Sequence, residues 1–158
     1  MKNTVKINSA ELINADSLHY VATLPEYSID LIVTDPPYFK VKPNGWDNQW
    51  KGDEDYLRWL DSCLAEYARV LKPAGSIYLF CGHRLASDIE IMMRARFNVL
   101  NHIIWAKPSG RWIGCNKESL RAYFPSTERI LFAERYLGPY SGNEDVYERK
   151  RTALKLRI

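Results

Sequence analysis

Short β-branched runs alternate with amphipathic stretches along this chain, and the alternation predicts an α/β domain. Ile29 to Thr34 (Ile-Asp-Leu-Ile-Val-Thr) is apolar and stops at Asp35-Pro36-Pro37. Neither proline can donate to a ladder, so the chain must leave the sheet there. Asp53 reads as the cap of a following helix, with Glu54 and Asp55 in its positive first turn. Leu57, Leu60, Leu64, Tyr67 and Leu71 recur at three- and four-residue spacing, one apolar stripe of that helix. Lys72-Pro73-Ala74-Gly75 then carries the proline and glycine of a helix stop. Ser76 to Cys81 predicts a second buried strand, Leu85 to Arg96 a second helix, Asn98 to Trp105 a third strand and Arg129 to Ala133 a fourth.

Strand, helix, strand, helix, strand is the signature of right-handed crossovers. It predicts a mostly parallel sheet with helices on both faces. No helix is legible between the last two strands, so these are expected to pair antiparallel at the sheet edge. Two connections, residues 38–52 and 106–125, exceed ordinary loop length, and loops of that size are usually binding loops or disordered.

Composition narrows the class. With 158 residues, 46% of them hydrophobic, the chain suits one domain with its own core and is not a disordered polymer. No apolar run approaches the roughly 20 residues of a membrane span. Met1 to Ser9 lack the apolar core of a secretion signal, so a cytoplasmic protein is expected. Cys63, Cys81 and Cys115 are widely spaced, form no C-x-x-C, and have none of His19, His83 and His102 at ligand spacing. Free thiols and no metal site are the simpler reading.

The net charge of +3 is unevenly distributed. Residues 149–158 hold five cations and no acid, which leaves 17 cations against 19 acids, or −2, for residues 1–148. Nucleic-acid contacts in the body must therefore come from local clusters. Lys40, Lys42 and Lys51 interleave with Trp46 and Trp50 in the first long loop, and Lys107, Arg111, Lys117 and Arg121 with Trp112 and Tyr123 in the second. Cations among aromatics suit phosphates and an extruded strand, although charge clusters are as often simply solvated.

The candidate chemistry sits at Asp35-Pro36-Pro37-Tyr38, where an apolar strand ends and a long loop begins. In an open parallel sheet ligands bind at the carboxyl ends of strands. Two prolines remove two N–H donors and leave carbonyls free to accept. A carboxylate beside a free proline carbonyl can hold an exocyclic NH2 by both protons. Tyr38 adds a ring on which a base can stack, a contact worth about 1–3 kcal/mol. The same residue types also make a plain strand-to-turn exit; the position after a buried strand, before an aromatic and basic loop, favours function.

These residues resemble the amino-group DNA methyltransferases that use S-adenosylmethionine, in the class whose catalytic motif precedes the cofactor motif. Asn14-Ala15-Asp16-Ser17-Leu18 and Leu24 to Thr34 leading into Asp35 are similar to that family's opening. Arg69 to Ser76, Ile103 to Lys107 and Thr127 to Leu131 follow in the family's order, over residues 7 to about 140. Phe39-Lys40-Val41-Lys42 and the tryptophans after it look most like the prophage-type adenine enzymes.

The resemblance implies a Rossmann-like methyltransferase fold acting on DNA, with a role in modification of restriction sites or in regulation. It implies that Asp35 and the Pro36 carbonyl hold the amino group of a flipped-out base, with Pro37 shaping the turn and Tyr38 stacking. Asp16 and Phe39, with Asp35, fall where the family contacts its cofactor; a helix-capping role for Asp16 stands equally open. Adenine-N6 is the expected target and cytosine-N4 the near alternative. RNA or a protein amide would usually call for Asn in place of Asp35.

The family's cofactor turn, Phe-x-Gly-x-Gly, has no counterpart, since no G-x-G occurs among the eight glycines. Residues 1–140 thus resemble the catalytic half of a methyltransferase domain, and 141–158 a basic tail towards a recognition region. A non-catalytic nucleic-acid-binding fragment is the alternative from another class. Half of a doubly wound sheet exposes a strand edge and apolar faces, so self-association is expected.

Overall fold

The computed structural model describes residues 3–40, 49–107 and 126–135. A β-hairpin comes first, β1 (Asn3–Ile7) and β2 (Ala10–Asn14), with Asn8 in the left-handed region at its turn. The short helix α1 (Ser17–Ala22) follows. The remaining elements alternate: β3 (Ile29–Thr34), α2 (Asp53–Val70), β4 (Leu71–Cys81), α3 (Ala86–Met93), β5 (Phe97–Ala106) and β6 (Thr127–Arg135).

The four-stranded sheet has the order β3-β4-β6-β5. β3 and β4 are parallel, while β6 is antiparallel to both β4 and β5. Three strands therefore run one way, as the crossover pattern predicts. β6 fills the slot between β4 and β5 in the opposite sense, so the sheet is mixed rather than mostly parallel in its pairings. The last two strands do pair antiparallel, with β5 rather than β6 on the edge.

The apolar stripe of α2 folds onto one sheet face. Tyr56, Leu60 and Leu64 join Ile77, Leu79 and Cys81 of β4, Ile89 and Met93 of α3, and Leu131 and Ala133 of β6 in one core. Leu57 and Tyr67 lie at its rim, and Leu71 is buried but already in β4. α2 and α3 share this face. The opposite face carries Leu31 and Val33, 53% and 63% exposed, and the stacked rings of Tyr78 and Phe132, 4.5 Å apart.

Two local assignments change. Asp53 is the first residue of α2, whose cap is Gly52 in extended backbone without a side-chain bond. The sequence Lys72–Gly75 is an outward excursion inside β4 rather than a connection. Ile29 pairs with Leu71 and Leu31 with Ser76, so four residues of β4 stand opposite Asp30 alone. Pro73 and Gly75 signal a turn in sequence, and a bulge uses the same signals. Lys72 Nζ reaches both Asp30 carboxylate oxygens across it, at 2.7 and 2.8 Å. No helix among the described residues is long and apolar enough to cross a membrane.

Candidate functional site

Strand directions decide which residues meet. β3, β4 and β5 end at the same edge where β6 begins, because β6 alone runs the other way. That edge gathers Asp35 to Lys40, Cys81 to Arg84, Trp105 to Lys107 and Thr127 to Arg129. The strand-end rule thus holds for Asp35-Pro36-Pro37-Tyr38, which leaves β3 with an exposed Asp35.

Tyr38 is half-buried and its ring lies against Gly82; a Cβ there would meet ring carbons at 3.6 and 3.7 Å. Its hydroxyl is buried and, among the described residues, has no hydrogen-bond partner of normal geometry. Burial first, then the nearby Asp35 carboxylate, pushes the phenol well above its ordinary range. Tyr38, Phe39, Lys40, Tyr56, Gly82 and Arg84 border a cavity of about 110 Å³ at this edge.

Phe39 departs from its expected cofactor role. It is 6% exposed, stacked on Tyr56 at 5.9 Å and met edge-on by Trp50 at 5.9 Å. Its ring is a core side chain, held by Tyr56 of α2 and by Trp50 just before it. Trp50, half-buried, packs on Tyr56 at 5.0 Å and Trp59 at 4.8 Å. The aromatic spacing that suggested nucleic-acid contact here builds a ring cluster between the loop and α2.

The expected cations are partly neutralised. Lys40 Nζ lies 3.4 Å from Asp53. Lys107 pairs with Glu128 and sits 5.1 Å over the Trp105 ring, while its backbone N–H donates to Ser126 at 2.8 Å. Asp16 caps α1, accepting from the His19 N–H at 2.9 Å. The capping alternative is therefore realised, with Oδ1 engaged. Lys42, Trp46, Arg111, Lys117 and Arg121, with Trp112, Cys115, Tyr123 and the tail 141–158, lie outside the described residues.

Several residues at this edge escaped the sequence reading. Arg84 donates to the Asp53 carboxylate at 2.6 Å and holds its carboxyl below the usual carboxylate range. Arg129 faces Cys81 across the β4–β6 register and carries a buried Nη1 that has no hydrogen-bond partner among the described residues. Extending the strand-end rule to the exit of β4 would have singled out Gly82 to Arg84; Arg129 reads in sequence as a surface or sheet-edge residue at a strand start, and β6 instead lies between β4 and β5. Among the described residues no cluster of His, Cys, Asp or Glu could hold a metal ion.

The sequence pattern of the DNA methylase family of N6/N4 methyltransferases matches residues 29–155. The DNA adenine methyltransferase YhdJ of Escherichia coli is 30% identical over 135 residues, covering 85% of this chain and 44% of its own. A candidate DNA modification methylase from Thermus thermophilus, solved in complex with S-adenosyl-L-methionine, superposes with a TM-score of 0.58 at 27% identity, over 86% of this chain and 59% of its own. The PvuII DNA methyltransferase, cytosine-N4-specific, shares the fold at 23% identity and a TM-score of 0.56, over 76% and 47% of the two chains. The chain spans 30% to 49% of the length of the first four curated relatives.

Proposed function

Since the chain belongs to the DNA methylase family of N6/N4 methyltransferases, we propose that it forms the part of a DNA adenine-N6 methyltransferase that presents the target amine. The observation that carries this reading is the acceptor pair at the carboxyl end of β3. Asp35 is exposed there, and Pro36 and Pro37 have no N–H with which to compete for the neighbouring carbonyls. The Asp35 carboxylate accepts a hydrogen bond from one amino N–H and the Pro36 carbonyl from the other, which turns the nitrogen lone pair out of the ring plane. Tyr38, braced by Gly82, holds the extruded base by its face. No side-chain nucleophile is required; positioning and acceptor electrostatics carry the rate.

S-adenosylmethionine, the donor in this reading, supplies an electrophilic sulfonium methyl. Asp35 and Asp16 are the residues of this chain that fit it. Both carboxylates are exposed, and Asp16 engages its backbone partner through Oδ1 alone among the described residues. The Phe39 ring does not fit, being committed to the core. DNA is the substrate, adenine is preferred to cytosine on the likeness to YhdJ, and a prophage-type subgroup remains part of the reading. The exposed Leu31 and Val33 support self-association.

Labelled-methyl transfer to unmethylated DNA, followed by nucleoside analysis, tests this reading. N6-methyladenine is the expected product and N4-methylcytosine would transfer the assignment to the other base. Asp35→Ala should abolish transfer and leave the circular dichroism spectrum intact. Full activity of that variant would sink the acceptor mechanism.

A further inference from the structure

The loop that carries the acceptor pair has little backbone support of its own. Pro36 and Pro37 lack N–H donors, which thins the backbone hydrogen bonding open to this loop. Lys40 closes the loop in the left-handed region, at φ 65°. Side-chain contacts from other elements add to its hold.

Arg84 supplies such a hold. It leaves the turn after β4, where its Nη1 donates to Asp53 Oδ2 at 2.6 Å and its Nη2 donates to the Phe39 carbonyl oxygen at 3.4 Å. Its guanidinium carbon lies 5.9 Å from the Phe39 ring centroid. The other Asp53 oxygen takes Lys40 Nζ at 3.4 Å, and that ammonium lies 4.9 Å from the same ring. Asp53 is thus free of helix capping and clasped by two cations, one from the loop and one from the β4–α3 turn. The planar fork of arginine holds both Arg84 contacts in one fixed geometry, which the flexible ammonium of lysine does not supply.

We propose that Arg84 is a positioning residue. With Asp53 it latches residues 38–40 to the start of α2 and to the turn after β4, and so fixes the Tyr38 ring and the acceptors beside it. The proposal rests on the reading of Asp35 to Tyr38 as the amine-presenting site. Arg84 itself touches no reacting atom; its charge is already matched by Asp53.

Amide hydrogen exchange on the whole chain tests the latch, with Arg84→Ala, Arg84→Lys and Asp53→Asn beside the wild type. Arg84→Ala should raise exchange at Tyr38, Phe39 and Lys40 by about two- to fivefold, from the loss of a small ion-pair network, and leave Ile77 to Cys81 unchanged. Asp53→Asn should act in the same direction, and the double variant should fall short of the sum of the two, because both remove the Arg84–Asp53 contact. Arg84→Lys should restore part of the protection. Unchanged exchange at Tyr38 to Lys40, or strictly additive effects, overturns the latch. If Arg84→Ala loosens β4 as well, Asp53→Asn alone decides. In the methyl-transfer assay the latch variants should lower kcat and leave KM for DNA in place. Absence of transfer by the wild type would remove the functional reading, while hydrogen exchange still decides the latch.

Discussion

The Cys81 thiol lies at the buried end of β4, and burial pushes it up to about 12, with the Arg129 guanidinium pulling the other way. Burial pushes Cys63 in α2 up to about 11. Both thiols stay protonated near neutrality, and the thiolate is the reactive form. Iodoacetamide at pH 8 should therefore spare Cys63 and Cys81 in the folded chain and label them in urea, as read by peptide mapping. Rapid labelling of either in the folded protein would contradict its burial. The raised values also set a direction for stability. Protonated thiols are favoured by the fold, so their contribution is complete below the unfolded value of 9.0 and is lost as pH rises towards about 12. Melting temperature should fall over that alkaline window, and less so in a Cys81→Ala variant.

Tyr38 separates ring from hydroxyl. Tyr38→Phe removes an oxygen that has no hydrogen-bond partner of normal geometry among the described residues, so stability should hold or rise and methyl transfer should persist. Tyr38→Ala removes the stacking surface, worth about 1–3 kcal/mol, and transfer should drop by roughly ten- to a hundredfold. Equal losses in the two variants would assign the hydroxyl a role that the stacking account denies it.

At the scale of elements, the excursion in β4 is the sharpest constraint. A Cβ on Gly75 would stand 2.7 Å from Leu71 Cγ and 3.0 Å from the Lys72 carbonyl oxygen. Gly75→Ala should cost about 1–3 kcal/mol, read as a lower urea midpoint at constant slope. Lys72→Ala, which removes an ion pair to a largely exposed Asp30, should cost well under that. A Gly75→Ala midpoint equal to wild type would mean that Leu71 can move aside.

This element also marks where sequence patterning runs out. The α2 stripe and the strand at Ile29 to Thr34 were legible, because periodicity and β-branched runs report burial directly. Leu71 was legible as apolar but not as strand, since proline and glycine announce a reversal whether or not the chain resumes its ladder. The acceptor motif was readable because prolines alter hydrogen bonding locally. Arg84 and Asp53 were not, because their meeting spans 31 residues and depends on where the β4 exit falls relative to α2. The rings of Phe39 and Trp50 carried an aromatic signal whose direction, inward or outward, no spacing rule states.

For the whole molecule, the uneven cover of the sheet matters most. α2 and α3 close one face, while Leu31 and Val33 of the edge strand β3 remain open on the other. Light scattering should show a mean mass that rises with concentration. Leu31→Lys with Val33→Lys should shift it towards that of one chain, since charge on an exposed edge opposes strand-to-strand association. A wild-type monomer at high concentration would count against this.

The placement of β6 has a consequence for the order of assembly. β5 leaves the α3 crossover one strand's width away from β4, and its described ladder is with β6 alone. As the chain emerges from the ribosome, β3, α2 and β4 can dock on one another, but Phe97 to Ala106 must wait unpaired until Thr127 to Arg135 arrive. The strand synthesised after it is the wedge that joins it to the sheet. Nascent chains halted before residue 127 should hold a protease-resistant β3–α2–β4 unit and a β5 segment still open to cleavage.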